Sequence, residues 1–291
     1  MPDRRKVGFA ILLMVGATLC FAALDATSKY LSRTYPIPMM VWGRYTFHLL
    51  MMVIFLAPSM RLQLITTSRP LAQITRALML TGTTGFSMAG FSMMPLAEST
   101  AFLFVTPLVV VILSHFLLKE SISRGHWLAV IAGFGGALLI ARPGGALNVE
   151  GIVWMSLAAA CYAIYQIQTR QLSPTENTLT MLFYTALVGT VSMTLAAPLY
   201  WGGPTPSLVD ATLIASLGIY GGTGHLMLTR AFRYAAASFL SPFLYGQLIW
   251  AGLLGWAFYD HLPDLLSIGG MMVIAGSSLS IALGERLRRR A

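Results

Sequence analysis

Charge is what this sequence has least of. Only 10% of its 291 residues are Asp, Glu, Lys or Arg, against roughly a quarter in a soluble domain. A chain-wide water-exposed surface is therefore excluded. Cysteine is nearly absent, and Cys20 and Cys161 both sit inside apolar runs, which excludes a disulfide framework and a zinc site. The alternating segments of roughly ten residues that build a membrane barrel are missing. The net charge of +9 is not gathered into a basic face or an aromatic-interleaved basic patch, so no nucleic-acid partner is expected. No G-x-x-x-x-G-K-[ST] occurs, so the chain alone is no nucleotide-driven pump. Gly85-Phe86-Ser87-Met88-Ala89 approaches a G-x-S-x-G turn but has Ala89 where the second glycine belongs, and no clear His/Asp partner accompanies it. With no nucleophile–base set, metal cluster or cofactor motif, neither an enzyme nor a bound metal or cofactor is expected. No loop is long enough for a soluble catalytic or sensing domain.

Hydrophobic sequence is abundant instead. It makes up 56% of the chain, with a mean hydropathy of +0.72, and one water-soluble core of this size cannot hide that much apolar surface. The solvent for most of it is lipid, where only helices and closed barrels satisfy their backbone groups. Near-continuous apolar runs of about 20 residues have helix length. They predict spans over 7–28, 39–57, 71–91, 96–118, 126–141, 149–169, 179–199, 210–229, 235–259 and 264–284. Between them stand turn-forming stretches such as Tyr35-Pro36-Ile37-Pro38 and Arg142-Pro143-Gly144-Gly145. The opening Arg4-Arg5-Lys6 and its apolar run resemble a secretory signal, but the run is long for one and reads as a retained first span. Lys and Arg orient the whole. Arg4, Arg5, Lys6, Arg61, Arg69, Lys119, Arg124, Arg170, Arg230, Arg233 and the tail Arg286–Arg290 fall on one side, and Arg33 and Arg142 on the other. Both termini are thus expected in the cytoplasm.

The halves repeat. Cys20-Phe21-Ala22 aligns with Cys161-Tyr162-Ala163, and the same offset places Lys29 on Arg170 and Leu31-Ser32 on Leu172-Ser173. A nearby offset places Glu120 on Asp260 and Gly136 on Gly276, and the Gly/Thr-rich Thr81–Gly85 has a counterpart in Gly221–Gly224. Five spans per half invert the second half relative to the first. The expectation is an all-α membrane protein of ten transmembrane helices in two inverted five-helix repeats, 1–145 and 146–291. Inverted repeats with a site near the midplane are an architecture of secondary transporters.

Two stretches carry a resemblance. One runs Pro95-Leu96-Ala97-Glu98-Ser99-Thr100-Ala101, Thr106-Pro107, Leu117-Leu118-Lys119-Glu120 and Gly133-Phe134-Gly135-Gly136-Ala137. The other runs Ala235-Ala236-Ala237-Ser238, Ser241-Pro242-Phe243, Tyr245, Gln247, Trp250–Gly255, Asp260, Pro263 and Gly276. They resemble the two halves of the drug/metabolite transporter superfamily in its EamA-type branch, over nearly the whole chain. The second half departs from the pattern in having Asp260 where Glu is usual. The resemblance implies a multi-pass protein of the bacterial inner membrane that exports amino acids and related small metabolites; aromatic amino-acid exporters are similar. Alternatives in view are an exporter of other metabolites or drugs and a passive channel. The expected partners are a small-molecule substrate and the bilayer, with the chain acting as a monomer.

Three groups of residues are candidates for the work. Aromatic and polar residues of the spans that surround the cavity in that family are Phe21, Phe86, Phe102, Tyr162, Tyr165, Gln166, His225, Tyr245, Gln247 and Trp250. They give the apolar wall with few polar groups that suits a small ligand. Asp25 and Lys29, one helical turn apart, together with Arg44 and Glu98 are expected to form an ion-pair cluster or gate at the outer mouth. For Lys29 a structural lock or snorkelling to headgroups is the favoured reading, and for Asp25 and Arg44 a gate or substrate-charge role. Pro107 and Pro242, which interrupt spans, and Gly82, Gly85, Gly221 and Gly222, which let helices bend or approach, are candidate hinges.

Overall fold

The computed structural model describes residues 4–118, 124–141, 147–200, 202–234, 240 and 243–288. Pro242, one of the two candidate hinge prolines, lies outside the described residues, as do Lys119, Glu120 and Ala235–Ser238 of the quoted stretches. Among the described residues there are eleven α-helices: α1 (Arg4–Leu31), α2 (Ile37–Met60), α3 (Pro70–Met93), α4 (Leu96–Leu103), α5 (Thr106–Leu118), α6 (Arg124–Ala141), α7 (Val149–Leu172), α8 (Thr178–Tyr200), α9 (Leu208–Tyr234), α10 (Gly246–Tyr259) and α11 (Leu265–Arg288). Helix lies over each of the ten predicted stretches, at least in part. Local sequence sets the boundaries. Prolines open α2 and α3, where a missing N–H costs nothing. The Asn148 side chain accepts from the Gly151 amide at 3.2 Å and starts α7. Asp260, at φ 50°, ends α10, with the His261 amide donating back to the Gly255 carbonyl at 3.2 Å.

The expected single span 96–118 is two helices. It breaks at Phe104 and Val105, whose amides donate to carbonyls only three residues back, at Ala101 and Phe102. The proline ring forbids helical hydrogen bonding at 107, so the chain stops early and restarts with Pro107 in the first turn of α5. The kink expected from Pro107 is thus a break placed before it.

The outer surface is apolar, and polar side chains are buried among the apolar core clusters. Leu12, Phe55, Leu138, Leu195 and Met272 are exposed. Thr18, Asp25, His48, Gln73, Arg76, Thr83, Thr84 and Glu98 are buried. Buried hydroxyls satisfy themselves on their own helix, as Thr81, Thr83 and Thr84 do on the carbonyls four residues back at 2.9–3.0 Å. This arrangement suits lipid as solvent. Four helical segments among the described residues, Val7–Leu31, Ile37–Leu64, Leu96–Phe116 and Thr178–Leu199, are long and apolar enough to cross a membrane.

The larger helix pairings follow an exchange rule, which the lesser α1–α3 and α2–α3 contacts do not obey. Number the ten stretches in order and swap the first five with the last five. The α1–α9 contact then becomes α7–α3, and the α2–α9 contact becomes α8–α3. The α1–α10 contact becomes the contact of α7 with α4 and α5, while α2–α8, α4–α10 and α6–α11 map onto themselves. All of these contacts are present. Where α6 meets α11 the backbones nearly touch: a Cβ on Gly136 would stand 2.8 Å from the Gly270 carbonyl oxygen, and one on Gly270 would stand 2.6 Å from that of Gly136. Gly276, aligned with Gly136 by sequence, faces open space.

Hydrogen bonds define the two ends. At the upper end meet the last turns of α1, α3 and α10 and the first turns of α4 and α9. There Lys29 Nζ donates to the carbonyls of Phe91 and Met94 at 2.7 and 2.6 Å. Tyr259 Oη donates to the Ala26 carbonyl at 2.6 Å, and Tyr35 donates to Asp210 at 2.7 Å. That bond to Asp210, helped by burial, holds the Tyr35 phenol above its ordinary range. At the lower end Glu176, between α7 and α8, accepts from the amide and hydroxyl of Ser68 at 3.2 and 2.8 Å and from Gln73 at 3.3 Å.

Candidate functional site

Between these ends lies a cavity of about 370 Å3, at the small end of the roughly 300–1,000 Å3 usual for ligand pockets. The ten-residue cavity set divides. Phe21, Tyr162, Gln166, His225 and Gln247 line the cavity, and so do Asp25, Arg44 and Pro107 from the other two sets. The other five stand behind or beside it. Tyr165 stacks on Tyr162, centroids 5.7 Å apart, and Tyr245 meets Phe104 at 4.9 Å. Phe86 stacks on Trp154 at 5.6 Å. Phe102 is buried in the core around α4, and Trp250 is half-buried in α10 away from the wall.

The expected four-residue ion-pair cluster does not assemble. Lys29 reaches α3 carbonyls instead of Asp25, because those carbonyls, freed at the end of α3, offer a buried ammonium two acceptors at once. Glu98 faces His261, with Oε1 to Nε2 at 3.2 Å, because the chain turns back over α4 after α10. Asp25 and Arg44 remain in the cavity, with no ion pair between them within 4.0 Å. Asp25 Oδ2 accepts from Gln247 Nε2 at 2.9 Å. Arg44 Nη1 donates to Thr84 Oγ1 at 2.9 Å, and its guanidinium lies 5.5 Å from the Tyr45 ring centroid.

The glycines of α3 and α9 lie in unbroken helix. A Cβ on Gly221 would stand 3.5 Å from Arg44 Nε, and one on Gly222 would collide with Met51. Around Gly82 and Gly85 contacts are ordinary, at 3.6 Å to Cys161 Sγ and 4.0 Å to Val41. Cys20 and Cys161 are free thiols within α1 and α7.

Sequence reasoning missed part of the wall. Thr83, Thr84 and Ser87 line it from α3, and Phe104 lines it at the α4–α5 break. The Gly/Thr-rich Thr81–Gly85 run signals these α3 residues, through its hydroxyls rather than its glycines. The Phe104 position depends on the break, which the sequence does not place. The wall descends to Phe232, near the end of α9, and Leu244, before α10. It stops at the upper end one turn below Lys29. No His, Cys, Asp or Glu group suited to a metal occurs among the described residues.

A solved crystal structure shares this fold, with a TM-score of 0.65 and 18% identity over 95% of this chain and 97% of that one. In sequence the chain is 28% identical over 281 residues to an S-adenosylmethionine uptake transporter of Rickettsia bellii, covering 96% of this chain and 94% of that protein. It is 27% identical to a pseudopaline exporter of Pseudomonas aeruginosa, covering 94% and 95%, and 26% identical to a riboflavin transporter of Rhizobium johnstonii, covering 99% and 95%. The three names specify three solutes and both directions, so relatedness sets the class of protein and leaves its cargo open. Residues 8–142 and again 149–283 match one family description. The chain is a multi-pass membrane protein that belongs to the EamA-like transporter family, whose members are transporters and not enzymes.

Proposed function

We propose that the protein is a secondary transporter that exports amino acids, neutral or aromatic ones foremost, across a bacterial inner membrane by alternating access. In this reading all ten stretches cross the bilayer, as two inverted repeats divided between residues 145 and 146, and both termini are cytoplasmic. The exchange rule in helix pairing supports the inverted repeat, and the Lys/Arg asymmetry supports the orientation. Four of the ten crossings stand out by length and apolarity. The remainder are helices whose polar residues turn inward, as cavity-lining helices must. A monomer suffices, since one chain encloses the cavity.

The observation that carries the reading is that cavity of about 370 Å3. Its wall extends to the lower, cytoplasmic end, while at the upper end α1 is tied to α3 and α10 by Lys29 and Tyr259. That is a conformation loaded from inside, which suits export. In the opposite conformation the upper ties open and the lower end closes. The α4–α5 break at Pro107 is the proposed hinge, assisted by Gly82 and Gly85 in α3 and Gly221 and Gly222 in α9. Pro242 is proposed as its counterpart in the second half.

Purified protein in liposomes, offered a panel of labelled metabolites with and without a proton gradient, tests this. The expected result is saturable flux of neutral amino acids. Saturable flux of another solute class alone would favour the second reading, an exporter of other metabolites or drugs, which the diversity of the relatives' names keeps in play.

A further inference from the structure

The charged groups of the cavity pose a physical problem. Among the described residues that line it, Asp25 and Arg44 are the only Asp, Glu, Lys or Arg side chains. Asp25 is 6% exposed. Opposite charges in a low-dielectric site normally pair, because an uncompensated charge there is costly. These two form no ion pair within 4.0 Å, and each has a neutral partner from a different helix. Gln247 of α10 occupies Asp25 Oδ2, and Thr84 of α3 occupies Arg44 Nη1. Among the described residues no hydrogen-bond partner meets Asp25 Oδ1 or Arg44 Nε and Nη2, yet none of them is among the fully sealed polar atoms that lack a partner. They keep accessible surface, on side chains that line the cavity.

On the reading of this cavity as the substrate site, we infer that Asp25 and Arg44 form a split clamp for a zwitterion. The α-ammonium of the solute donates to Asp25, and its α-carboxylate accepts from Arg44. A zwitterion completes both charges at once. A dianion meets Asp25, an amine leaves Arg44 uncompensated, and a neutral solute satisfies neither. Each mismatch leaves a desolvated charge, and that is how polar sites reject near-analogues strongly. Phe21, Phe104, Tyr162 and the ring of His225, which packs 5.1 Å from Phe21, line the same cavity and receive the solute's apolar side chain. S-adenosylmethionine, whose name the Rickettsia relative bears, carries the same pair of α-groups.

The test uses full-length protein in nanodiscs. Affinities are measured for a series of neutral amino acids, for the amine each gives on losing its carboxylate, and for the acid each gives on losing its ammonium. Wild type is expected to bind at least one amino acid at least tenfold more tightly than both of its truncated analogues, a comparison that needs no mutant. Asp25→Asn should erase the preference over the deaminated acid and keep the preference over the amine. Arg44→Gln should do the reverse. Equal affinity for all three members of a series overturns the clamp, and so does a uniform loss in both folded variants. Binding only of non-zwitterionic solutes, abolished by the cavity-filling Ser87→Phe, also overturns the clamp while the cavity keeps its role as substrate site. Binding that survives Ser87→Phe unchanged would instead overturn the cavity reading itself.

Discussion

A methyl group on Gly218 would stand 2.7 Å from the carbonyl oxygen of Arg44 and the amide nitrogen of His48. Both are backbone atoms of α2, so no rotamer can relieve the contact. Gly218→Ala should cost about 1–3 kcal/mol through overpacking and should displace the cavity arginine as well. Gly252, with nothing within 4 Å of its Cβ position, is the control. Thermal melting in detergent should show a clear drop for Gly218→Ala and none for Gly252→Ala; equal melting would refute the close approach of α9 and α2. Lys29 makes a second case. Its two carbonyl acceptors, Phe91 and Met94, would both be left without it in Lys29→Met, at roughly 1–3 kcal/mol per orphaned group. The upper end should loosen, so the melting temperature should fall and a cysteine placed at Met94 should react faster with a membrane-impermeant reagent. Unchanged reactivity would place the seal elsewhere. Charges within spans were legible in the sequence, because Asp25 and Arg44 interrupt apolar runs. Their partners were not. Lys29 binds backbone carbonyls, which every residue has, and Glu98 meets His261, 163 residues further on.

Helix existence came straight from composition and run length, whereas the break between α4 and α5 did not. Pro107 announces a disturbance, but whether the chain kinks or stops depends on what receives the freed carbonyls. Here Ser278 of α11 lies 3.4 Å from the Phe104 carbonyl oxygen, a neighbour that local sequence cannot supply. The segment joining α7 to α8 shows an opposite economy, in which one carboxylate staples two loops. Burial pushes Glu176 upward, but hydrogen bonds from Thr67, Ser68 and Gln73 outweigh it and hold the carboxyl below its ordinary range. A depressed carboxyl stabilises the fold above the ordinary carboxylate range, and that contribution is lost as pH falls through the folded value. Glu176→Gln should therefore melt lower than wild type at neutral pH, by the equivalent of about 1 kcal/mol. The gap should narrow as both are acidified through the carboxylate range. A gap independent of pH would show that shape, not charge, holds these loops.

At the scale of the whole molecule, lipid allows an apolar exterior around an interior that also buries polar groups. The outer surface carries Phe55, Leu195 and Met272, and the interior carries threonines, Asp25 and Arg76. Arg76 illustrates how such an interior satisfies itself: its guanidinium bonds the Met181 carbonyl and Thr185 and lies over the Tyr165 ring, joining α3 to α7 and α8. The repeat was legible only as scattered identities such as Cys20-Phe21-Ala22 with Cys161-Tyr162-Ala163. Membrane interiors accept many apolar sequences, so the repeat shows more clearly in which helices make the larger contacts than in which residues they hold. It also fixes what the cavity must do if the halves exchange roles: it must present one solute site to the two sides in turn. Counterflow reads that property directly. Liposomes holding the protein and preloaded with an unlabelled neutral amino acid are diluted into a trace of the same labelled compound. An alternating-access carrier accumulates label transiently above its equilibrium level, and Ser87→Phe abolishes the overshoot. A monotonic approach to equilibrium, indifferent to preloading, would contradict the account and leave a passive pore in its place.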